Sequence, residues 1–155
     1  MTVEELKRYG LEEMRDDEID QLLDEQSIGV LGLPAPDRPY ILPLSYAFDP
    51  EDAALYFTYV LGEDSRKGRL TEAADSAQFL VYRAETMFNW HSVLLTGTFE
   101  KRPPSEWGEL GDVLDTAWRP EVFKTSSTSG QTRLYEFEVT DRSGIKHTDL
   151  APGKM

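Results

Sequence analysis

The feature that most constrains the fold is a succession of short apolar segments with a two-residue period, each followed by turn-forming residues. The segments are SIGVLGL (27–33), YILPLSYAF (40–48), AALYFTYV (53–60), AQFLVYR (77–83) and WHSVLLTGTFEK (90–101). Successive side chains of a strand point to opposite faces, so an alternation such as that of Leu55, Phe57 and Tyr59 predicts strands with one buried face. The short turns between neighbouring segments favour antiparallel pairing, with 40–48 and 53–60 forming a hairpin.

Helices are predicted between and around these strands. The acidic segment 1–26 predicts two short helices, the second with Ile19, Leu22 and Leu23 on one face and Asp16 or Asp17 as its N-cap. Residues 65–75 predict a third helix, with Ser65 near its N-cap.

A further helix is predicted over 103–118, where Trp107, Leu110, Leu114, Ala117 and Trp118 recur at helical spacing. A last strand begins near Arg133, and a polar tail covers 145–155. The whole order predicts a single mainly-β domain over 1–155: a closed or nearly closed β-barrel of about six antiparallel strands with peripheral helices.

The charge of the chain narrows the choice of partners. It carries 29 acidic and 16 basic residues, a formal net charge of −13. A charge of this sign repels nucleic-acid phosphates and anionic membranes, so neither is an expected partner. Self-repulsion destabilises a compact fold in dilute buffer, and salt screens it, with a screening length of ~3 Å at about 1 M. We therefore expect a halophilic protein; an acidic mesophilic protein is the alternative.

The sequence also bounds the cellular compartment and the available chemistry. It has no cysteine, which excludes disulfides and thiolate chemistry. It has no basic-then-apolar leader pattern and no apolar run of bilayer length. These features predict a cytoplasmic protein.

The segment Ser65-Arg66-Lys67-Gly68-Arg69 concentrates basic residues in an acidic chain, at the predicted start of a helix. A helix N-terminus presents unpaired N–H groups and a partial positive charge. Arg and Lys side chains add charge-assisted hydrogen bonds of about 1.5–3 kcal/mol each. The segment is a candidate phosphate site; the alternative is a solvated turn whose cations pair with the abundant carboxylates.

Two strand segments are candidate ligand walls. In WHSVLLTGT, the face carrying Trp90 and Ser92 mixes an aromatic ring with hydroxyls, which suits a ligand or an interface, whereas an ordinary solvent face is the alternative. In PLSY, Pro43 predicts an edge or distorted strand. Backbone groups freed there would suit a planar heterocycle, unless the proline only protects an edge.

Motifs for metal or nucleotide sites are missing from the sequence. Of its two histidines, His91 lies on an apolar strand face and His147 in the predicted polar tail. No cluster has metal-ligand spacing, so no metal is expected. The sequence contains no GxSxG, GxxxxGK[ST] or GxGxxG motif.

Taken together, the segments SIGVLGL, PYILPLSYAFD, ALYFTYV, SRKGRL, QFLVYR and WHSVLLTGTFE resemble the pyridoxamine 5′-phosphate oxidase-like FMN-binding split β-barrels, from about Met14 to about Gly144. Within that family the chain is most similar to the small nitroimidazole-resistance-like subgroup, and its composition suggests a haloarchaeal member. The resemblance implies a split-barrel homodimer with FMN in a groove between the subunits. FAD is the alternative cofactor.

The resemblance also assigns roles to named residues. Arg66 and Lys67 would bind the FMN phosphate, with Ser65 assisting. This implication favours the phosphate interpretation of the basic segment over the solvated turn.

The isoalloxazine ring would meet a second set of residues. The resemblance implies that Ser45 and Tyr46 present backbone groups to the ring, with Thr58 nearby on the neighbouring strand. Trp90 and Ser92 would line the site from the long strand.

The function implied is a flavin-dependent oxidoreductase with an unidentified small-molecule substrate. No catalytic side chain is predicted, because the flavin itself carries out the hydride or electron transfer. The C-terminal RSGIKHTDLAPGKM does not match the arginine-rich substrate strand of pyridoxamine phosphate oxidases, so a B6 vitamer is not the expected substrate. The alternatives are a non-catalytic flavin-binding or sensor protein, and a split barrel that binds haem or a deazaflavin.

Overall fold

A computed structural model of the chain describes residues 2–60, 65–111 and 132–148. The predicted helical positions Leu114, Ala117 and Trp118 and the end of the predicted tail after 148 lie outside the described residues. The elements in chain order are α1 (Val3–Arg8), β1 (Leu11–Glu13), α2 (Asp16–Glu25), β2 (Ile28–Leu33), β3 (Tyr40–Ser45), β4 (Ala47–Asp49), β5 (Ala54–Val60), α3 (Arg66–Ala73), β6 (Ala77–Thr86), β7 (Asn89–Arg102), a 3₁₀ helix (Pro104–Leu110) and β8 (Thr132–Thr148).

The strands form one antiparallel sheet in the order β3-β2-β6-β7-β8-β5-β4, and β1 pairs with β8. The edge strands β3 and β4 are consecutive in the chain, and β3 lies beside β5 without pairing to it. The sheet is therefore not closed by hydrogen bonds. This confirms the mainly-β, split-barrel class predicted from the sequence.

The strand boundaries differ from the prediction in two places. The segment 40–48 is divided at Tyr46: β3 pairs with β2, and only β4 forms the predicted hairpin with β5. Strand β8 is the longest described strand, and it continues to Thr148 through part of the predicted tail. Its polar C-terminal end pairs with β7 as far as Asn89. Hydropathy does not reveal this pairing, because it depends on backbone hydrogen bonds. With β1 included, the described residues hold eight strands rather than about six.

Aromatic rings on the inner face of the sheet form the centre of the core. Phe57 lies 4.9 Å from Phe79 and 5.6 Å from Phe137, measured between ring centroids. Phe99 packs 5.3 Å from Phe137. The predicted inner residues of β5 are fully buried here, since alternation puts an entire apolar face on one side of the strand.

Helix α2 covers part of this inner face. Its apolar residues Ile19, Leu22 and Leu23 are each 2% exposed, as predicted. Its N-cap is Arg15 and not an aspartate; Asp16 opens the first turn, where acidic side chains favour the helix dipole. Gly144 lets the start of α2 lie close to β8, because a Cβ at this position would be only 2.9 Å from Met14.

Ion pairs tie the polar side of α2 to the strands beneath it. Lys146 Nζ lies 2.5 Å from Glu18 Oε2, and Arg142 Nη1 lies 2.6 Å from Asp20 Oδ1. Arg83 completes the set by pairing with Glu25 at 2.5 Å. These contacts, called the α2 clamp below, join carboxylates of α2 to cations of β6 and β8.

The segment after β7 begins with a 3₁₀ helix rather than the predicted α-helix. Trp107 and Leu110 pack against a second apolar cluster on the outer face, which includes Tyr56 and Leu134. Trp107 also donates a hydrogen bond from Nε1 to the Arg102 carbonyl at 2.9 Å. Within the described residues, no helix has the length and apolar character needed to cross a membrane.

Candidate functional site

The basic segment forms the first turn of α3. Ser65 is the N-cap, and its hydroxyl accepts a hydrogen bond from the Gly68 N–H at 3.2 Å, as the sequence predicts. Arg66 and Lys67 follow directly, and no acidic residue lies in this turn. The first turn of α2, in contrast, holds Asp16, Asp17 and Glu18. The N-terminus of α3 thus combines its dipole with positive side chains, an arrangement that favours an anion.

Lys67 is directed toward the barrel and not into bulk solvent. Its Nζ lies 4.5 Å from the centroid of the Tyr59 ring, and the side chain is half-buried. Burial lowers the pKa of Lys67 below its ordinary value, because desolvation penalises the charged form. Among the residues that the structure describes, no carboxylate lies within ion-pair distance of Lys67.

Arg66 lies beside a second tyrosine. Its Cζ is 5.2 Å from the centroid of the Tyr40 ring, at the start of β3. Tyr40 and Tyr59 therefore hold the two cations at the end of the barrel where β3 begins and β5 ends. The sequence predicts only the burial of Tyr59 and gives neither ring this role, since no local spacing links them to α3.

Buried hydroxyls anchor α3 to the barrel. Thr71 Oγ1 donates to the Lys67 carbonyl at 2.8 Å and lies 3.0 Å from the Tyr59 hydroxyl. One residue later, Glu72 accepts a hydrogen bond from the Tyr135 hydroxyl at 2.5 Å. Burial raises the pKa of Tyr59 and of Tyr135 to about 12, so both hydroxyls stay protonated near neutral pH. The helix that carries the cations is thus fixed to β5 and β8.

Thr58 lies on β5 beside Tyr59 but on the opposite, outer face. It is half-buried and pairs with Leu134 of β8. It therefore belongs to the same end of the barrel as Ser65, Arg66 and Lys67.

Tyr46 is a core residue in the structure. Its hydroxyl donates to the Leu23 carbonyl at 2.8 Å and its N–H donates to the Ser27 carbonyl at 3.0 Å. Burial raises its pKa. Both donors are thus used within the protomer, and the backbone role that the resemblance implies would fall to the carbonyl oxygen of Tyr46. Ser45, half-buried at the end of β3, pairs with Ile28.

Trp90 and Ser92 lie at the other end of β7 from the basic turn. Thr58 pairs with Leu134 of β8, and Leu134 pairs in turn with Arg102 of β7. Arg102 therefore marks the level of the basic turn on β7. The stretch of β7 from Trp90 to Arg102 would span ~40 Å if straight. One protomer therefore brings together Ser65, Arg66 and Lys67, with Thr58 at the same end of the barrel on the outer face, but does not add Trp90 and Ser92 to them.

His147 is the neighbour of Trp90 and was not predicted to have any role. The two residues are paired in β7 and β8, and their rings stack with centroids 6.1 Å apart. His147 Nδ1 lies 2.6 Å from the Phe88 carbonyl oxygen. The imidazole is thereby held in one orientation against the Trp90 ring.

An exposed apolar surface covers the outer face of the strands around Ser92. Its members are between 39% and 66% exposed, high values for large apolar side chains: Ile28, Ile41, Tyr82, Leu94 and Ile145. Adjacent strands bring them together, since Tyr82 and Ile145 both pair with Ser92. We call this set the outer apolar face.

Comparison with known proteins identifies related families and folds. A family model described as pyridoxamine 5′-phosphate oxidase matches residues 15–146. No curated protein sequence matches the chain.

Solved structures share the fold at low identity. An FAD-binding protein from Mesorhizobium loti is 19% identical with a TM-score of 0.71, over 90% of this chain and 98% of that one. The FAD and haem binding protein from Mycobacterium smegmatis is 18% identical with a TM-score of 0.68, over 94% and 77%. A candidate 5-nitroimidazole antibiotic resistance protein from Bacteroides thetaiotaomicron is 11% identical with a TM-score of 0.65, over 88% and 89%.

Proposed function

The chain belongs to the pyridoxamine 5′-phosphate oxidase family, and on this premise we propose that it binds a flavin whose phosphate lies at the N-terminus of α3. The observation that carries the proposal is the half-buried Lys67, held against an aromatic ring with no described carboxylate partner in a chain of net charge −13. Several of the structural neighbours are described as FAD-binding proteins, which supports the same ligand class.

The residues at this site fit a phosphate group. The helix N-terminus offers backbone N–H donors, Lys67 offers an ammonium, and Arg66 offers a guanidinium at the rim. A phosphate dianion beside Lys67 would stabilise its charged ammonium and so offset the desolvation caused by burial. The structure fits FMN and FAD equally at this point, because both carry the same phosphate on the ribityl chain.

We propose further that the protein is a flavin-dependent oxidoreductase acting on a small molecule. A bound flavin supplies hydride or electron transfer, whereas the protein binds it, orients it and excludes water. In this account Arg66 and Lys67 anchor the cofactor, and they do not take part in the transfer. A binding protein without turnover is the alternative outcome of the test below.

The site is completed in our proposal by a second copy of the chain. Trp90 and Ser92 are distant from the basic turn within one protomer, and they border the outer apolar face. A two-fold interface on that face would bury apolar side chains that are otherwise exposed, and stable interfaces bury ~800 Å² per subunit. It would also place Trp90 and Ser92 against the partner.

The test starts with the purified full-length protein. We expect a flavin absorbance spectrum, and mass spectrometry of the released chromophore is expected to give FMN or FAD. Oxidation of NADH or NADPH in the presence of an electron acceptor then distinguishes an enzyme from a binding protein. A colourless protein that also binds no added flavin would overturn the proposal.

A further inference from the structure

A cleft lies on the outer face of the sheet, and its lining includes Ser76 in the connection that follows α3. Its volume is about 350 Å³, within the size range of small-molecule sites. Its floor is a row of paired residues on three adjacent strands, Gly32 of β2, Gln78 of β6 and Thr96 of β7. Pro34, Pro39 and Ser76 form part of its walls.

The lining of the cleft is uncharged. In a chain with 29% charged residues, none of the residues that line it is acidic or basic. The exposed amide of Gln78 both donates and accepts hydrogen bonds, the pattern that reads the N6 and N7 edge of adenine. Neutral walls with one bidentate amide suit an uncharged heterocycle better than an anion.

Gly32 keeps the floor of the cleft open. A Cβ at this position would have only the Gln78 carbonyl oxygen within 4 Å, at 3.8 Å. Packing therefore does not require glycine here, whereas a side chain would occupy the cleft.

Two lining residues connect the cleft with α3, one on each side. Pro39 precedes Tyr40, whose ring lies 5.2 Å from Arg66 Cζ, and consecutive Cα atoms are ~3.8 Å apart. Ser76 lies in the short connection between Ala73, the last residue of α3, and β6. A ligand anchored by its phosphate at α3 thus has an uncharged cleft close to that anchor.

We propose that this cleft binds the adenine of FAD and makes FAD, rather than FMN, the preferred cofactor. The inference rests on the proposed function, because the flavin phosphate at α3 supplies the anchor. Gln78 recognises the adenine edge, and the open floor at Gly32 admits the ring. Riboflavin and FMN leave the cleft unused.

The test compares the dissociation constants of the full chain for riboflavin, FMN and FAD. Binding is measured by the quenching of flavin fluorescence. We expect FAD to bind about tenfold more tightly than FMN or better. Gln78→Leu and Gly32→Val should each remove most of this preference and leave FMN binding unchanged. Gln21→Leu, on an exposed position of α2, is the matched control and should alter neither constant. Thermal melting confirms that the variants fold.

Two results would overturn the inference, and they are distinguishable. Equal affinities of the unmodified protein for FMN and FAD, or equal losses of both in Gln78→Leu, would contradict the adenine cleft alone. No binding of any of the three flavins would overturn the proposed function and the adenine cleft together.

Discussion

The ammonium of Lys67 lies 4.5 Å from the centroid of the Tyr59 ring. An aromatic face attracts a cation without neutralising it, by about 0.5–2 kcal/mol depending on desolvation. A carboxylate in the same place would have cancelled the charge. The ring therefore positions Lys67 and leaves its charge available to an anionic ligand.

Two substitutions of Tyr59 distinguish the effect of its aromatic ring on FMN affinity from that of its hydroxyl. Tyr59→Phe keeps the aromatic face and removes only the contact with Thr71, so FMN affinity should stay within a few-fold of the original. Tyr59→Leu removes the face, and FMN should bind about tenfold more weakly. Isothermal titration with FMN and with riboflavin, which lacks the phosphate, measures both effects.

The control for lost core packing is Val93→Ala. Val93 is fully buried on β7, where it pairs with Val81 of β6 and Gly144 of β8, so its truncation should lower the melting temperature without changing the preference for FMN over riboflavin. A similar loss of preference in Val93→Ala and Tyr59→Leu would contradict the role of the ring.

Flavin affinity should depend on the protonation of Lys67. Its pKa is lowered from 10.5 by burial, and a phosphate binds the protonated form better, so affinity must fall as pH rises through the pKa of the free protein. The fall should begin at a lower pH than for an exposed lysine. FMN titrations between about pH 7 and pH 10 test this, and an affinity that is constant over that range would contradict it.

Stability should fall in acid through His91, whose Nδ1 lies 3.4 Å from Nη2 of the clamp residue Arg83. Burial, Arg83 and Lys146 lower its pKa below 6.5, against a smaller raising effect of Glu18 and Glu25. The unfolded chain therefore binds more protons than the folded chain just below pH 6.5, and stability falls as the pH drops through that value. His91→Gln should flatten this part of the stability curve, measured by thermal melting between pH 7.5 and pH 5.5 (~1 unit either side of the ordinary His pKa). If His91→Gln leaves the pH dependence of stability unchanged, another group is responsible for it.

Lys146→Ala tests the clamp by its ion pair with Glu18. The two side chains are only 14% and 17% exposed, so the truncation leaves a poorly solvated carboxylate and should cost about 1–3 kcal/mol of unfolding free energy. Lys7→Ala breaks a pair whose side chains are 54% and 85% exposed and should change stability little. Denaturant unfolding compares them, and equal effects would show that the clamp contributes no more than a surface pair.

Leu94→Asp tests the outer apolar face as a dimer interface. A charge placed there would be desolvated against the partner, so the dimer dissociation constant should rise at least about tenfold. Gln21→Asp adds the same charge on α2, away from this face, and should leave the dimer intact. Sedimentation velocity over a concentration series measures both. A monomeric unmodified protein, or an unaffected Leu94→Asp dimer, would contradict the proposed interface.

The sequence predicts those parts of the fold that depend on local periodicity. Leu55, Phe57 and Tyr59 are buried on one face because alternation is a property of the strand itself. Ser65 caps α3 because its hydroxyl reaches an N–H within the same turn. Pro43 lies on an edge strand as predicted, since proline has no backbone N–H to donate to a neighbouring strand.

The remaining features depend on contacts between distant segments. The donors of Tyr46 are taken by Leu23 and Ser27, which only the folded chain brings close. The distance of Trp90 from the basic turn follows from the register of β7 with β8, which no motif encodes. The pairing of Lys67 with Tyr59 likewise requires α3 to lie across the end of β5.

The most direct test of the phosphate site is the ratio of riboflavin to FMN dissociation constants, before and after Lys67→Ala. We predict that FMN binds the unmodified protein more tightly and that Lys67→Ala reduces the ratio roughly ten- to hundredfold, the effect of losing one charge-assisted contact. Lys101→Ala, at an exposed position of β7, should leave the ratio unchanged. A Lys67→Ala protein that keeps the original ratio would contradict the account.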